Sequence, residues 1–164
     1  MDPIFERVSI RQWTDQPVEE EKIEQILKAA MQAPSAMNAQ PWQFIVVTSQ
    51  AMKDKLAAIS PYAHFAAKAP VLLALLCRKE NRCPEYNQVD MGICIENILL
   101  EATEQSLGAV CLGVAPLQDR MAYMKEALQL GDDVEGFALI PIGYPKEEHP
   151  QTERYDPSRI AWIR

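Results

Sequence analysis

The sequence predicts an α+β fold, and three observations carry that reading. Helical and strand patterns mix along the chain without a strict βαβ rhythm, which argues against a doubly wound sheet. Pro70 to Cys77 is a continuous apolar run, hence a buried strand. Val89 to Leu107 is apolar around most of its circumference, the pattern of a central buried helix. At 164 residues, positions 1–164 read as a single domain able to bury a real core.

The elements follow in order. Residues 3–6 make a short opening helix. Glu19 to Gln32 is a helix: acidic residues fill its first turn, and Ile23, Ile26, Leu27 and Ala30 share one face. Gln43 to Thr48 is a strand. Ser49 caps a helix running to about Ile59, with Met52, Leu56 and Ile59 inward. Arg78 to Asn87 is polar and reads as a loop, the chain's one candidate for a lid. After the Val89–Leu107 helix, Gly108 is a natural stop. Ala109 to Val114 is a strand, Asp119 to Leu130 a helix closed by Gly131, and Phe137 to Gly143 a further strand. The tail from Tyr144 is polar with three prolines. It still carries Tyr155, Ile160, Trp162 and Ile163, anchors that suit docking on a partner subunit.

Composition narrows the function. A formal net charge of −7 argues against a nucleic-acid or anionic-membrane surface. The longest apolar run, Ala69 to Cys77, is too short to span a bilayer, and the N-terminus has no signal-peptide pattern. Cys77, Cys83, Cys94 and Cys111 form no Cys-x-x-Cys pair and read mainly as buried reduced thiols in a cytoplasmic protein. Two histidines, His64 and His149, make a multi-histidine metal site untenable. No Gly-x-Gly-x-x-Gly, Walker loop or Gly-x-Ser-x-Gly elbow is present. With so few acid–base groups, the hard chemistry falls to a cofactor.

Two clusters stand out. Ala33-Pro34-Ser35-Ala36-Met37-Asn38-Ala39-Gln40-Pro41-Trp42 packs a hydroxyl, two amides, two prolines and an indole between a helix and a strand. Proline stiffens both sides of Asn38, which suits holding a polar planar ligand; a capped helix end with a Pro-rich crossover is the alternative. Upstream, Arg7-Val8-Ser9-Ile10-Arg11-Gln12-Trp13 places Arg7, Ser9 and Arg11 on one side if extended. Two guanidinium forks and a hydroxyl match phosphate and carbonyl oxygens.

Arg-x-Ser-x-Arg-x-aromatic followed by Pro-Ser-x-x-Asn-x-Gln-Pro-Trp resembles the FMN-dependent nitroreductase family. The resemblance continues through Asp90 to Leu100, Leu107 to Val114 and Ile142-Gly143-Tyr144-Pro145, in the family's order. It implies a central, mostly antiparallel sheet flanked by helices, in a homodimer with C-terminal arm exchange. It implies FMN, with electrons passing from NAD(P)H to a nitroaromatic, quinone or related acceptor by a ping-pong mechanism. A flavin carrier or redox sensor without turnover is the rival reading, and a cofactor-free structural module a third.

By that resemblance Arg7, Val8 and Ser9 meet the phosphate and ribityl end, and Arg154 matches the family's late arginine near the phosphate. Many members carry a lysine two residues before that arginine, where this chain has Thr152. Arg11 lies near the pyrimidine edge, where its charge stabilises the anionic reduced flavin. Pro34, Ser35, Ala36, Asn38 and Gln40 reach the flavin from the second subunit. A backbone N–H of the Leu112-Gly113 segment meets the flavin N5, and glycine permits that approach. His64, Trp13 and Trp42 read as structural.

Overall fold

The apolar run forms a strand, β2 (Val71–Arg78), lying between β1 (Trp42–Val47) and β5 (Val134–Gly143). Successive side chains point to opposite faces of a strand. Val71, Leu73, Leu75 and Cys77 therefore enter one hydrophobic cluster, and Leu72, Ala74 and Leu76 another. Helices close both. α2 (Glu20–Met31) and α4 (Asn87–Glu104) cover the first with Ile23, Ile26, Met91 and Ile98. α3 (Gln50–Ala57) and α5 (Gln118–Leu128) cover the second with Leu56, Met124 and Ala127. With helices on both faces β2 has no polar side, so its sequence shows no alternation.

This architecture is that of a computed structural model, which describes residues 2–147, 150 and 152–164. The strand pairs are antiparallel: β1 with β2, β2 with β5, and two short strands, β3 (Gly108–Ala109) and β4 (Leu112–Gly113), with β5. α1 (Pro3–Glu6) opens the chain as expected. Among the described residues no helix is long and apolar enough to cross a membrane. His149 lies outside the described residues.

Several local expectations are corrected. The strand expected over Ala109–Val114 is divided, because Val110 turns into a third cluster with Ile10, Trp13 and Ala69. α4 ends at Glu104, and its stop is Ser106 at φ 60°, with Leu107 N–H donating to Ala102 O at 2.7 Å. α5 closes on Gln129 at φ 53°, before Gly131. Ser49 sits at the start of α3, but its side chain makes no capping bond. The expected polar loop is partly ordered into a 3-10 turn at Pro84–Tyr86.

Gly108 serves space instead of conformation. A Cβ there would lie 2.6 Å from the Ile10 side chain. Gly108→Ala is therefore expected to destabilise the protein by about 1–3 kcal/mol, the range for overpacking. Thermal melting checks this; an unchanged melting temperature contradicts it.

All four cysteines are free, and Cys77 and Cys94 are buried. Desolvation pushes Cys77 and Cys94 up to about 12 and Cys111 up to about 11, from an ordinary 9.0. The native state thus holds protons that the unfolded chain releases near pH 9. The stability from this source is fully present below that pH and is lost as pH rises toward 12. Urea midpoints should fall between pH 9 and 11. Cys94→Ala should flatten the fall, by up to about 1.4 kcal/mol per pH unit for one proton. An equal slope in the two proteins contradicts the assignment.

Candidate functional site

The Arg7–Trp13 segment is held along β3 by its backbone. Ile10 N–H donates to Ala109 O at 3.1 Å, and Ser9 bridges Ala109 in parallel register. Ile10 and Trp13 are buried; Trp13 Nε1 donates to Gly108 O at 2.8 Å, and its ring stacks on Phe65 at 6.2 Å. Trp42 is likewise buried in the core, so both indoles are structural here. Val8 is half-buried, while Ser9 and Arg11 are exposed.

The two arginines expected side by side line different clefts. Arg7 lines one of about 720 Å³ together with Thr152 and Arg154. Its Nε lies 3.8 Å from Glu96 Oε1 in the same cleft, a long ion pair on a half-exposed carboxylate. Arg11 lines a second cleft of about 480 Å³, and its Nη1 donates back to Ser9 O at 3.5 Å. The bridge at Ser9 and the inward turn of Ile10 separate the two guanidinium groups.

The Pro34–Gln40 loop is the most strained segment among the described residues. Met37, Asn38 and Gln40 adopt φ of 50°, 53° and 45° without being glycine. Such a residue costs roughly 1–2 kcal/mol in the left-handed region, so other contacts must hold the loop. Ser35 Oγ accepts from Gln40 N–H at 3.0 Å, and Asn38 Oδ1 accepts from Gln40 Nε2 at 3.0 Å. Asp90, only 2% exposed in the first turn of α4, accepts from Ala36 N–H at 3.1 and 3.2 Å. Arg78 Nη2 donates to Ala39 O and Gln40 O at 3.1 and 2.6 Å. Arg78 Nε is buried without a hydrogen-bond partner among the described residues. Pro34, Asn38 and Gln40 stay exposed, and Ser35 and Ala36 are half-buried.

Arg78 and Asp90 were not foreseen as site residues. Arg78 marks where a buried strand ends in a charge, and Asp90 is an acid inside an apolar helix; each is a weak local signal. The segment Arg78–Asn87, the candidate lid, is tied to itself. Asn81 Nδ2 donates to Arg78 O and to Asn87 Oδ1, at 3.1 and 2.8 Å.

On β4, Leu112 is half-buried and Gly113 is exposed. Gly113 O accepts from Arg120 Nη1 at 2.8 Å. A Cβ at Gly113 would meet nothing nearer than Ala115 O at 3.8 Å. The fold therefore does not need glycine here, and the open space fits a planar group brought against the backbone from outside. The exposed Ser9 hydroxyl and the Arg7–Thr152–Arg154 donor set fit a phosphorylated ligand. His64 is exposed at the start of a 3-10 turn and lines neither of these clefts.

A model of the Nitroreductase family matches residues 4–61 and 58–144. The chain belongs to the nitroreductase family. A Methanothermobacter thermautotrophicus protein named for NADH dehydrogenase and NAD(P)H nitroreductase is 38% identical over 98% of this chain and 84% of its own. A crystal structure from Clostridium acetobutylicum, named as an NADH oxidase, superposes with a TM-score of 0.95 at 43% identity, covering 98% of each chain. A Desulfovibrio desulfuricans nitroreductase solved in complex with FMN gives a TM-score of 0.85 at 29% identity, covering 99% and 95%. The nitroreductase fold, with its antiparallel sheet flanked by helices, is thus the one the residues led to. Arg154 lies beyond the family match, in the tail.

Proposed function

We propose that this nitroreductase binds FMN and moves electrons from NAD(P)H to nitroaromatic, quinone or related acceptors, reductant and acceptor taking turns at one face. The observation that carries the reading is the convergence of Arg7, Thr152 and Arg154, from opposite ends of the chain, on one cleft. Those residues hold the phosphate, Thr152 standing where many members have a cation. Val8 and Ser9 take the ribityl end, Leu112 and Gly113 offer backbone at the ring, and Arg11 supplies positive charge near its pyrimidine edge. FMN, when bound, supplies the hydride and electron chemistry. The chain's own part is orientation, charge and the exclusion of side chains at Gly113.

The working unit in this reading is a homodimer in a reducing compartment. Ser35, Asn38 and Gln40 present polar side chains to the partner's flavin, and Pro34 and Ala36 line the same loop. The tail supports the reading: Tyr155, Trp162 and Ile163 are 72%, 78% and 101% exposed in the isolated chain.

Heat release and chromatography of the cofactor test the reading; FMN is expected, and FAD or no flavin after reconstitution overturns it. Gly113→Ala gives a second check. It should leave the melting temperature of the apoprotein unchanged, since its Cβ meets open space, while weakening FMN binding by roughly tenfold, about 1.4 kcal/mol. Unaltered FMN affinity removes Gly113 from the ring.

A further inference from the structure

The second cleft gathers three cations from three separate segments: Arg11, Lys68 and Lys146. Trp13 and Phe65 form its apolar wall, and among the described residues no carboxylate lines it. The chain carries 23 acidic and 16 basic side chains, so an uncompensated basic cleft runs against its overall charge. Lys68 and Lys146 have no ion pair or side-chain hydrogen bond among the described residues.

The positions are built by the fold. Lys146 N–H donates to Gln12 O at 3.1 Å and Thr14 N–H to Tyr144 O at 2.9 Å, either side of a Trp13–Pro145 bridge. That short antiparallel ladder sets Gln12 opposite Lys146, one residue from Arg11, and both cations line the cleft. Lys68 ends a 3-10 turn whose exit is clamped by the buried Lys53, with Nζ donating to Ala69 O at 2.7 Å. Three cations lining one cleft with no carboxylate among its described lining residues suit a polyanionic ligand.

We infer that Arg11, Lys68 and Lys146 form an anion subsite that receives the pyrophosphate of the nicotinamide dinucleotide. This rests on the electron-transfer reading above, which sets Arg11 at the ring edge and so makes this cleft the flavin's neighbour. A dinucleotide donor must put its nicotinamide on the ring while its pyrophosphate lies to one side, and an acidic protein otherwise repels it. The subsite draws the donor in and orients it; an uncharged acceptor gains nothing from it.

The test uses FMN-loaded protein with Lys68→Gln, Lys146→Gln and both together, and Lys28→Gln as a control lysine that lines neither cleft. Anaerobic flavin reduction by NADH and NADPH is followed by stopped flow, and inorganic pyrophosphate is the probe for the subsite. In the double variant the apparent Kd for both dinucleotides should rise roughly tenfold or more, about 1.4 kcal/mol. Pyrophosphate inhibition should disappear, with FMN content and the KM of an uncharged quinone unaltered. Dinucleotide affinities equal to those of Lys28→Gln overturn the inference. So does a rise confined to a carboxylated nitroaromatic, which assigns the subsite to the acceptor. Binding of pyrophosphate, read by calorimetry, without any bleaching by NAD(P)H overturns the functional reading and the dinucleotide as occupant, while leaving an anion site in place.

Discussion

Replacement of Asp90 by alanine will loosen the Pro34–Gln40 loop and lower stability by about 1–3 kcal/mol, the cost of leaving a hydrogen-bonding group without its partner. Both carboxylate oxygens lie within bonding distance of Ala36 N–H, and the charge sits in the first turn of α4, where the helix dipole favours an acid. The loop ahead of this anchor holds three non-glycine residues at positive φ. Without the anchor they relax toward ordinary backbone, and Asn38 and Gln40 leave the positions from which they serve the proposed flavin site. Flavin affinity should therefore fall along with melting temperature. Asp90→Asn keeps an acceptor oxygen and should recover part of both losses. An alanine variant with unchanged melting temperature and flavin affinity contradicts the anchoring role.

Removal of residues 160–164 is expected to convert the proposed dimer largely to monomer while leaving Arg154 in place. Trp162 and Ile163 touch little of their own chain, and Ile160 is also exposed. Covering each large apolar side chain contributes about 1.5–3 kcal/mol, so losing three raises the dimer dissociation constant by several orders of magnitude. Sedimentation shows the change directly. Flavin retention should fall in parallel, because the loop that completes each site comes from the partner in this reading. A truncated protein that sediments as an unaltered dimer rules out the tail as the arm.

The large elements were legible because burial writes itself into local pattern. β2 was evident from its unbroken apolar run, and α2 from Ile23, Ile26 and Ala30 on one face. Helix ends were read wrongly where glycine seemed the obvious stop. Ser106 and Gln129 take the left-handed positions, while Gly108 makes room for Ile10, whose place depends on a contact about a hundred residues away in sequence. The division of Ala109–Val114 has the same origin, since Val110 answers to Ile10 and Trp13. The candidate site was legible in part. Its donors stand in recognisable short motifs, and Arg7 and Arg154 do meet in one cleft. The residues that hold the loop, Asp90 and Arg78, act across long sequence separations that no local pattern reports. The splitting of Arg7 from Arg11 likewise depends on pairing with β3.

The most direct test of the electron-transfer account is the visible spectrum of the purified protein under anaerobic titration with NADH or NADPH. The flavin band should bleach with one equivalent of reductant per bound FMN, and return when a quinone or nitroaromatic is added. A yellow protein whose spectrum ignores both dinucleotides is a flavin carrier or sensor, and contradicts the account.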